Sequence, residues 1–332
     1  PRSIWLIPLI REQPSAARAA INTTARIGRS TLQNVPAATE YVVLSAISFV
    51  VPLISAISES DGRVGELLRK CGINHKIIIE ALKNGEFVVY YQPKFHLESK
   101  RFISSEGLVR WNSPKYGLLP PGRFIAKAEA AGLIHDIDMY VFQKVCEDLN
   151  DFKKRGKRII PVSVNFSLYE FYSPNFVDDI IKIIDSNHIA HSLIEIEITE
   201  TTSQSNPFLS ISIMKKLKEQ GIKVLMDDFG VGFSNFNNLR KMPIDSLKID
   251  KSFIDDIVTD SKTKEIVKFL ISLAKINGLE AIAEGVDNAQ QVEILRKAKL
   301  DTIQGYYYSK PLSKKDYEAF LIENEFEKKG GK

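Results

Sequence analysis

Val224-Leu225-Met226-Asp227-Asp228-Phe229-Gly230-Val231-Gly232-Phe233 is an apolar, strand-like run that ends in two adjacent carboxylates and turns at once through glycine. Neighbouring strand residues point to opposite faces, but where a strand gives way to a glycine turn two consecutive Asp can converge on one spot. Carboxylates held that close repel unless a cation lies between them. For an isolated pair, a solvated Asp-Asp turn is the plainer reading. This pair is not isolated.

Outward from it, helical and strand-like patterns alternate. Helix 207–220 precedes the strand Lys223–Asp228, and a short helix at 235–241 precedes Ser246–Asp250. Downstream, helix 261–277 leads to Glu280–Glu284, helix 288–298 leads to Thr302–Tyr306, and a last helix begins near Lys314. Upstream, helix 175–186 leads to Leu193–Glu200, and helices at 122–131 and 137–155 lead to Ile159–Asn165. A short helix, Lys76–Lys83, precedes the β-branched and aromatic Phe87–Pro93, and Phe102–Trp111 follows closely. That gap is too short for a parallel crossover, so these two strands form an antiparallel hairpin. Eight strands in one such series predict an α/β fold, a TIM-type (β/α)8 barrel. The open doubly wound sheet is the rival, but its Gly-rich phosphate fingerprint is absent after the first strand.

Apolar content of 44% and charged content of 26% are those of an ordinary globular chain. A net charge of +4 demands no nucleic-acid groove and no anionic membrane surface, so no nucleic-acid partner is expected. Cys71 and Cys146 stand far apart without CxxC or His company, which argues against a disulfide framework or structural zinc and suits a reducing, cytoplasmic compartment. The barrel is expected over 76–332. Residues 1–75 differ, reading as a mostly helical N-terminal segment with an apolar run, Tyr41–Ile57, and a linker helix. That run is at the lower limit for a bilayer span and is flanked by basic residues on both sides, so membrane attachment and a buried or subunit-contacting helix both stay open. The start at Pro1 reads as a fragment or processed form of a longer protein, and no signal peptide is recognisable.

Barrel chemistry sits at the carboxyl ends of the strands. Taken in order, the strands carry Gln92; Glu106 and Arg110; Asn165; Glu197 and Glu200; Asp227 and Asp228; Lys248 and Asp250; Glu284; and Gln304. Each alone is more often a cap or a solvated group. Together, so many carboxylates on apolar strands would repel strongly without cations. Oxygen ligands without Cys or His suit Mg²⁺ or Mn²⁺ better than zinc. Two such ions with a nearby Lys are the equipment of phosphodiester hydrolysis, with Arg110 as a phosphate clamp. A carboxylate-bound Mg²⁺ with a strand-borne lysine also describes enolase-type proton abstraction, so the residues alone leave two chemistries open.

Nine motifs in order resemble one family: YYQP (90–93), EGLVRW (106–111), GLLPPGRFI (117–125), SVNFS (163–167), EITE (197–200), DDFGVGFSN (227–235), LKIDKSF (247–253), AEGVD (283–287) and IQGYYYSKPL (303–312). From about Gly85 to Leu321 the chain is similar to an EAL domain, the cyclic-di-GMP phosphodiesterase. The resemblance implies a barrel whose first strand is antiparallel, and hydrolysis of cyclic-di-GMP to linear pGpG at a two-metal site holding Mg²⁺ or Mn²⁺. It implies Glu106, Asn165, Glu197, Asp227 and Asp228 as metal ligands. Lys248 and Glu284, with Glu106 and Asp228, would be catalytic, positioning or deprotonating the attacking water. Gln92, Leu108 and Arg110 would contact substrate, as would Gln304, which also holds the metal-water cluster. Glu200 and Asp287 would anchor the loop after the fifth strand, and the barrel would pair as a homodimer. Three positions depart from the family pattern: Gly107 for Ala, Val231 with Phe233 for Thr and Tyr, and Asp287 for Glu. A receptor or interaction module that binds without hydrolysing is the alternative, and it draws on the altered loop.

Overall fold

β1 (Phe87–His96) and β2 (Arg101–Ser113) form the antiparallel hairpin that their short connection requires, with Gln92 paired to Glu106. The computed structural model describes residues 75–167, 173, 175–200, 207–231 and 239–326; the run 41–57, the linker helix, the expected helix start at 235 and Phe233 lie outside them. Beside β2 run the parallel strands β4 (Val162–Asn165), β5 (Ile194–Thr199), β6 (Lys223–Phe229), β7 (Ser246–Ile249), β8 (Glu280–Ala283) and β9 (Thr302–Gln304). β9 then pairs with β1, again antiparallel, and closes the sheet into an eight-stranded TIM-type barrel with an antiparallel first strand. Closure leaves the barrel without an exposed edge. The short β3 (Gly117–Leu119) and β10 (Leu312–Ser313) extend β2 and β1 outside the ring.

The helices α1 (His75–Lys83), α2 (Ile125–Ala130), α3 (Ile134–Lys154), α4 (Phe176–Ser186), α5 (Pro207–Glu219), α6 (Lys251–Asp256), α7 (Ser261–Ile276), α8 (Ala289–Lys297) and α9 (Lys314–Phe326) connect these strands. α3 shows why they pack. Ile134, Ile137, Val141, Val145, Leu149 and Phe152 recur at helical spacing and are all buried, with Asp136 in the first turn and Lys153 and Lys154 in the last. Fully burying one such side chain contributes about 1.5–3 kcal/mol, so truncating Phe152 would undo much of this seat. α7 starts where Asp260 accepts from the amides of Lys262 and Thr263, and α8 where Asn288 and Gln291 form a reciprocal capping box.

One expected site group also serves the fold, while its charge reaches Asp228. Asp250 accepts from the Ser252 amide at 3.0 Å and caps α6. α6 was not anticipated, because a six-residue helix has too few turns to show a period.

Candidate active site

The barrel interior is charged where most barrels are filled with aliphatic side chains. Lys248 on β7 is buried, and its Nζ lies 2.5 Å from Glu197 Oε2, 3.1 Å from Asp227 Oδ1 and 3.6 Å from Glu106 Oε2. It also touches Glu284 Oε1, just beyond β8. Burial alone would lower the Lys248 pKa, but the carboxylates of Asp227, Glu106, Glu197 and Glu284 outweigh it and hold the amine well above its ordinary value.

The carboxyls respond in different ways to one cavity. Burial pushes Glu284 up to about 8, against Lys248, with the charges on Asp227, Glu106 and Glu197 adding to the rise. Burial also raises Glu106 and Asp227. Glu197 goes the other way: burial raises it, but Lys248 and Lys94 together bring it down to about 2. Neighbouring carboxyls pushed apart in this way divide into a permanent anion and a group that holds a proton near neutral pH.

Amides complete the ring. Asn165 Nδ2 donates to Glu106 Oε1 at 2.6 Å, and Gln304 Nε2 donates to Glu106 Oε2 at 2.6 Å and to Gln92 Oε1 at 3.2 Å. Gln92 Nε2 in turn reaches the Ser309 carbonyl at 3.2 Å. Among the described residues, Gln304 Oε1 and Glu284 Oε1 are buried oxygens with no hydrogen-bond donor. The Glu284 oxygen has charge contact with Lys248 but no aligned bond, so both oxygens can accept from a further cation or water.

These donors fit a hard divalent ion. Ligand oxygens of Asp227, Asp228 and Glu284 all come within 4.8 Å of one another. Asp228 achieves this at φ 53, in the left-handed region that a non-glycine residue seldom adopts, with its amide donating to Asp227 Oδ1 at 2.9 Å. Glu106, Asn165 and Glu197 adjoin this trio through Lys248. Glu284, expected beside Lys248 as a catalytic group, thus also falls among the candidate ligands. An ammonium against four carboxylates shows the preference of this place for positive charge.

Beside Asn165 opens a cavity of about 270 Å³, lined by Leu108, Pro121, Ile125, Asp138 and Phe166 among others. Arg110 stands half-buried on the same strand as Leu108, over the Tyr90 ring at 5.6 Å, and its guanidinium donates to the Val109 carbonyl at 2.8 Å. Asp138 and Phe166 were not singled out from the sequence, where an Asp in the helical HDIDMY and a Phe after a strand carry no distinguishing signal. Lys94 was also missed; it is buried and donates to Glu197 Oε1 and Ser163 Oγ, both at 2.7 Å.

Residues 75–311 match the family model described as EAL domain. The chain belongs to the EAL domain family. It is 35% identical over 252 residues to the signaling protein YkoW of Bacillus subtilis, which covers 76% of this chain and 31% of YkoW. The cyclic di-GMP phosphodiesterase NbdA of Pseudomonas aeruginosa is 35% identical over 242 residues, 73% of this chain and 31% of NbdA. The chain therefore spans about a third of the length of these relatives. A solved structure described as the PaMucR phosphodiesterase in complex with c-di-GMP is 30% identical with a TM-score of 0.69, covering 72% of this chain and 97% of that one. EAL enzyme Bd1971, with cAMP and cyclic-di-GMP bound, is 27% identical with a TM-score of 0.72, covering 86% and 77%.

In this EAL domain, the loop after β6 starts from a tightly fitted turn. Glu200 is buried and accepts from the Gly230 amide at 3.3 Å. Gly230 has φ 99, and a Cβ there would lie 2.9 Å from the Phe253 ring. Asp287 is exposed beyond β8; its carboxylate accepts from Asn288 Nδ2 at 2.8 Å, next to the start of α8. Val231 is 64% exposed. At Gly107 the family's Ala would bring a Cβ to 3.2 Å from Val145 Cγ2, so α3 would have to give by a few tenths of an ångström. Among the described residues, no helix is long and apolar enough to cross a membrane.

Proposed function

We propose that this EAL domain hydrolyses cyclic-di-GMP to linear pGpG. The observation that carries the reading is the convergence of Glu106, Glu197, Asp227 and Glu284 on one point, next to Asn165, which lines a cavity with Leu108. Its relatives include proteins named as cyclic di-GMP phosphodiesterases, and a solved relative holds the dinucleotide.

Glu106, Asn165, Glu197, Asp227 and Asp228 would hold two divalent cations, Mg²⁺ or Mn²⁺, with Glu284 beside them. Two ions, once bound, supply a water of lowered pKa and offset charge on the attacking and leaving oxygens. The protein's own part is to bind, aim and move a proton. Arg110 and Leu108 hold the dinucleotide at the cavity, with Gln92 and Gln304 beneath it. Water attacks phosphorus, ionised Glu284 takes its proton, and the P–O3′ bond breaks, the departing oxygen taking a proton from solvent to become the free 3′-hydroxyl. Burial pushes Glu284 up to about 8, where it keeps its own proton at neutral pH; it can accept from water only when ionised, the form that cations held beside it would favour. Lys248 orients the water and keeps the neighbouring carboxylates in register.

Two barrels would pair through the face near the β6 turn, where Gly230 approaches Phe253 and Leu270 and where Val231, Val258 and Ile266 expose apolar surface. The cytoplasm is the compartment this chemistry fits, with membrane attachment in a longer parent left to residues 41–57. A receptor that binds without turnover is the second reading, favoured by Val231 where the family pattern has Thr.

Product formation from cyclic-di-GMP with Mg²⁺, Mn²⁺ or EDTA, with binding measured in parallel, tests both. Metal-dependent pGpG that EDTA abolishes supports the enzyme. Tight binding without turnover supports the receptor.

A further inference from the structure

Among the described residues of the barrel, Lys94 and Lys248 are the buried lysines, and of these only Lys248 belongs to the motifs that carry the resemblance. Lys94 lies on the antiparallel strand β1, two residues past Gln92, and so faces the same interior one layer deeper. It is fully buried. Its Nζ is 2.7 Å from Glu197 Oε1, 2.7 Å from Ser163 Oγ and 3.9 Å from Glu195 Oε2. Across the same carboxylate, Lys248 holds Oε2 at 2.5 Å.

Glu197 therefore sits between two ammonium groups, one oxygen to each. Only Oε2 is on the side where Asp227, Glu106 and Glu284 gather. A buried lysine is costly unless it is paired, so the strand keeps this one for its partner. We propose that Lys94 is a positioning residue that sets the aim and the charge of Glu197, and through it the affinity of the site for divalent cations. It turns Oε1 away from the mouth and offsets Glu197 from beneath, so that the cradle holds its ions loosely enough to exchange them. The proposal rests on the reading of this site as a metal centre.

The test is Lys94→Met in the full chain, which keeps length and removes charge. Mn²⁺ affinity is measured by electron paramagnetic resonance without substrate, and thermal midpoints are measured in EDTA. Freed Oε1 and one fewer positive charge should tighten Mn²⁺ binding by about tenfold or more. In EDTA the variant should melt lower by about 5 °C or more, with a buried carboxylate left to one cation. The double variant Lys94→Met/Glu197→Gln removes both partners; it should recover most of that midpoint and lose the tightened binding.

Unchanged or weaker Mn²⁺ binding in Lys94→Met overturns the proposal, and so does a double variant no more stable than the single one. If Lys94→Met does not fold, a folded double variant upholds the pairing, and an unfolded one overturns it. Wild-type protein that binds no Mn²⁺ would sink the metal-centre reading instead, and the EDTA midpoints would still judge the pairing.

Discussion

Lys248 Nζ sits 2.5 Å from Glu197 Oε2, and the same ammonium meets the carboxylates of Asp227, Glu106 and Glu284. One cation thus balances several buried anions. Lys248→Met should destabilise the metal-free protein by about 3–5 kcal/mol, the cost of breaking a buried pair from one side. Added Mn²⁺ should restore much of that loss. Urea unfolding in EDTA and in Mn²⁺ measures both, and equal stability of variant and wild type in EDTA would refute the central role of this lysine.

Glu106 holds Asn165, Gln304 and Lys248 at once. Glu106→Ala should lower the rate of pGpG formation by about a thousandfold, equivalent to roughly 4 kcal/mol of transition-state stabilisation. The fold should persist, because the strand accepts a small residue and loses one like charge. Near wild-type turnover in this variant would remove Glu106 from the assignment.

The turn after β6 leaves no space at Gly230, where φ is 99 and Phe253 is 2.9 Å from a built Cβ. Gly230→Ala should cost about 1–3 kcal/mol of stability through backbone strain alone, with crowding adding to it. Phe253→Leu in the same chain should return the crowding part and leave the strain. Thermal melts of the single and double variants separate the two contributions.

His191 reports on pH far from the site. Its Nε2 lies 3.0 Å from Asp185 Oδ1 and its Nδ1 is 2.8 Å from the Gln220 carbonyl, so both nitrogens face acceptors and the imidazolium satisfies both. The hydrogen bond to Asp185 raises its pKa and outweighs the opposing effect of burial. A raised folded pKa means that the stabilisation is fully present below the unfolded value of about 6.5 and is lost as pH rises through the folded one. Proton NMR should show His191 titrating higher than in Asp185→Asn, and an unchanged midpoint in that variant would disprove the pairing.

Val231→Thr with Phe233→Tyr restores both hydroxyls of the family pattern. Raised turnover, or a larger share of dimer by light scattering, is the expected outcome if the loop carries coupling between site and partner. Unchanged rate and mass would show that these departures are neutral.

Much of this fold is legible in the sequence. Strand positions followed from β-branched runs between helical periods, and the hairpin followed from a gap too short for a crossover. Lys94 was not readable, because β1 runs on to His96, past the expected end of the strand. The β-branched and aromatic pattern ends at Pro93, one residue short of Lys94, and charge alone marks a strand lysine as solvated. Asp250 shows a second limit: strand-end spacing locates an Asp but not its partners, and this one both accepts from the Ser252 amide and acts by its charge on Asp228.

What the chain by itself determined is the order of elements, the family and which residue types line the barrel, since period and motif are local properties. What only the tertiary structure decided is which charges share a partner. That the pKa of Glu197 is brought down to about 2 and that of Glu284 pushed up to about 8 depends on closing β9 against β1 and burying Lys94, Lys248 and the carboxylates together. In that interior, a few ångströms of separation and the loss of water set the protonation of each group.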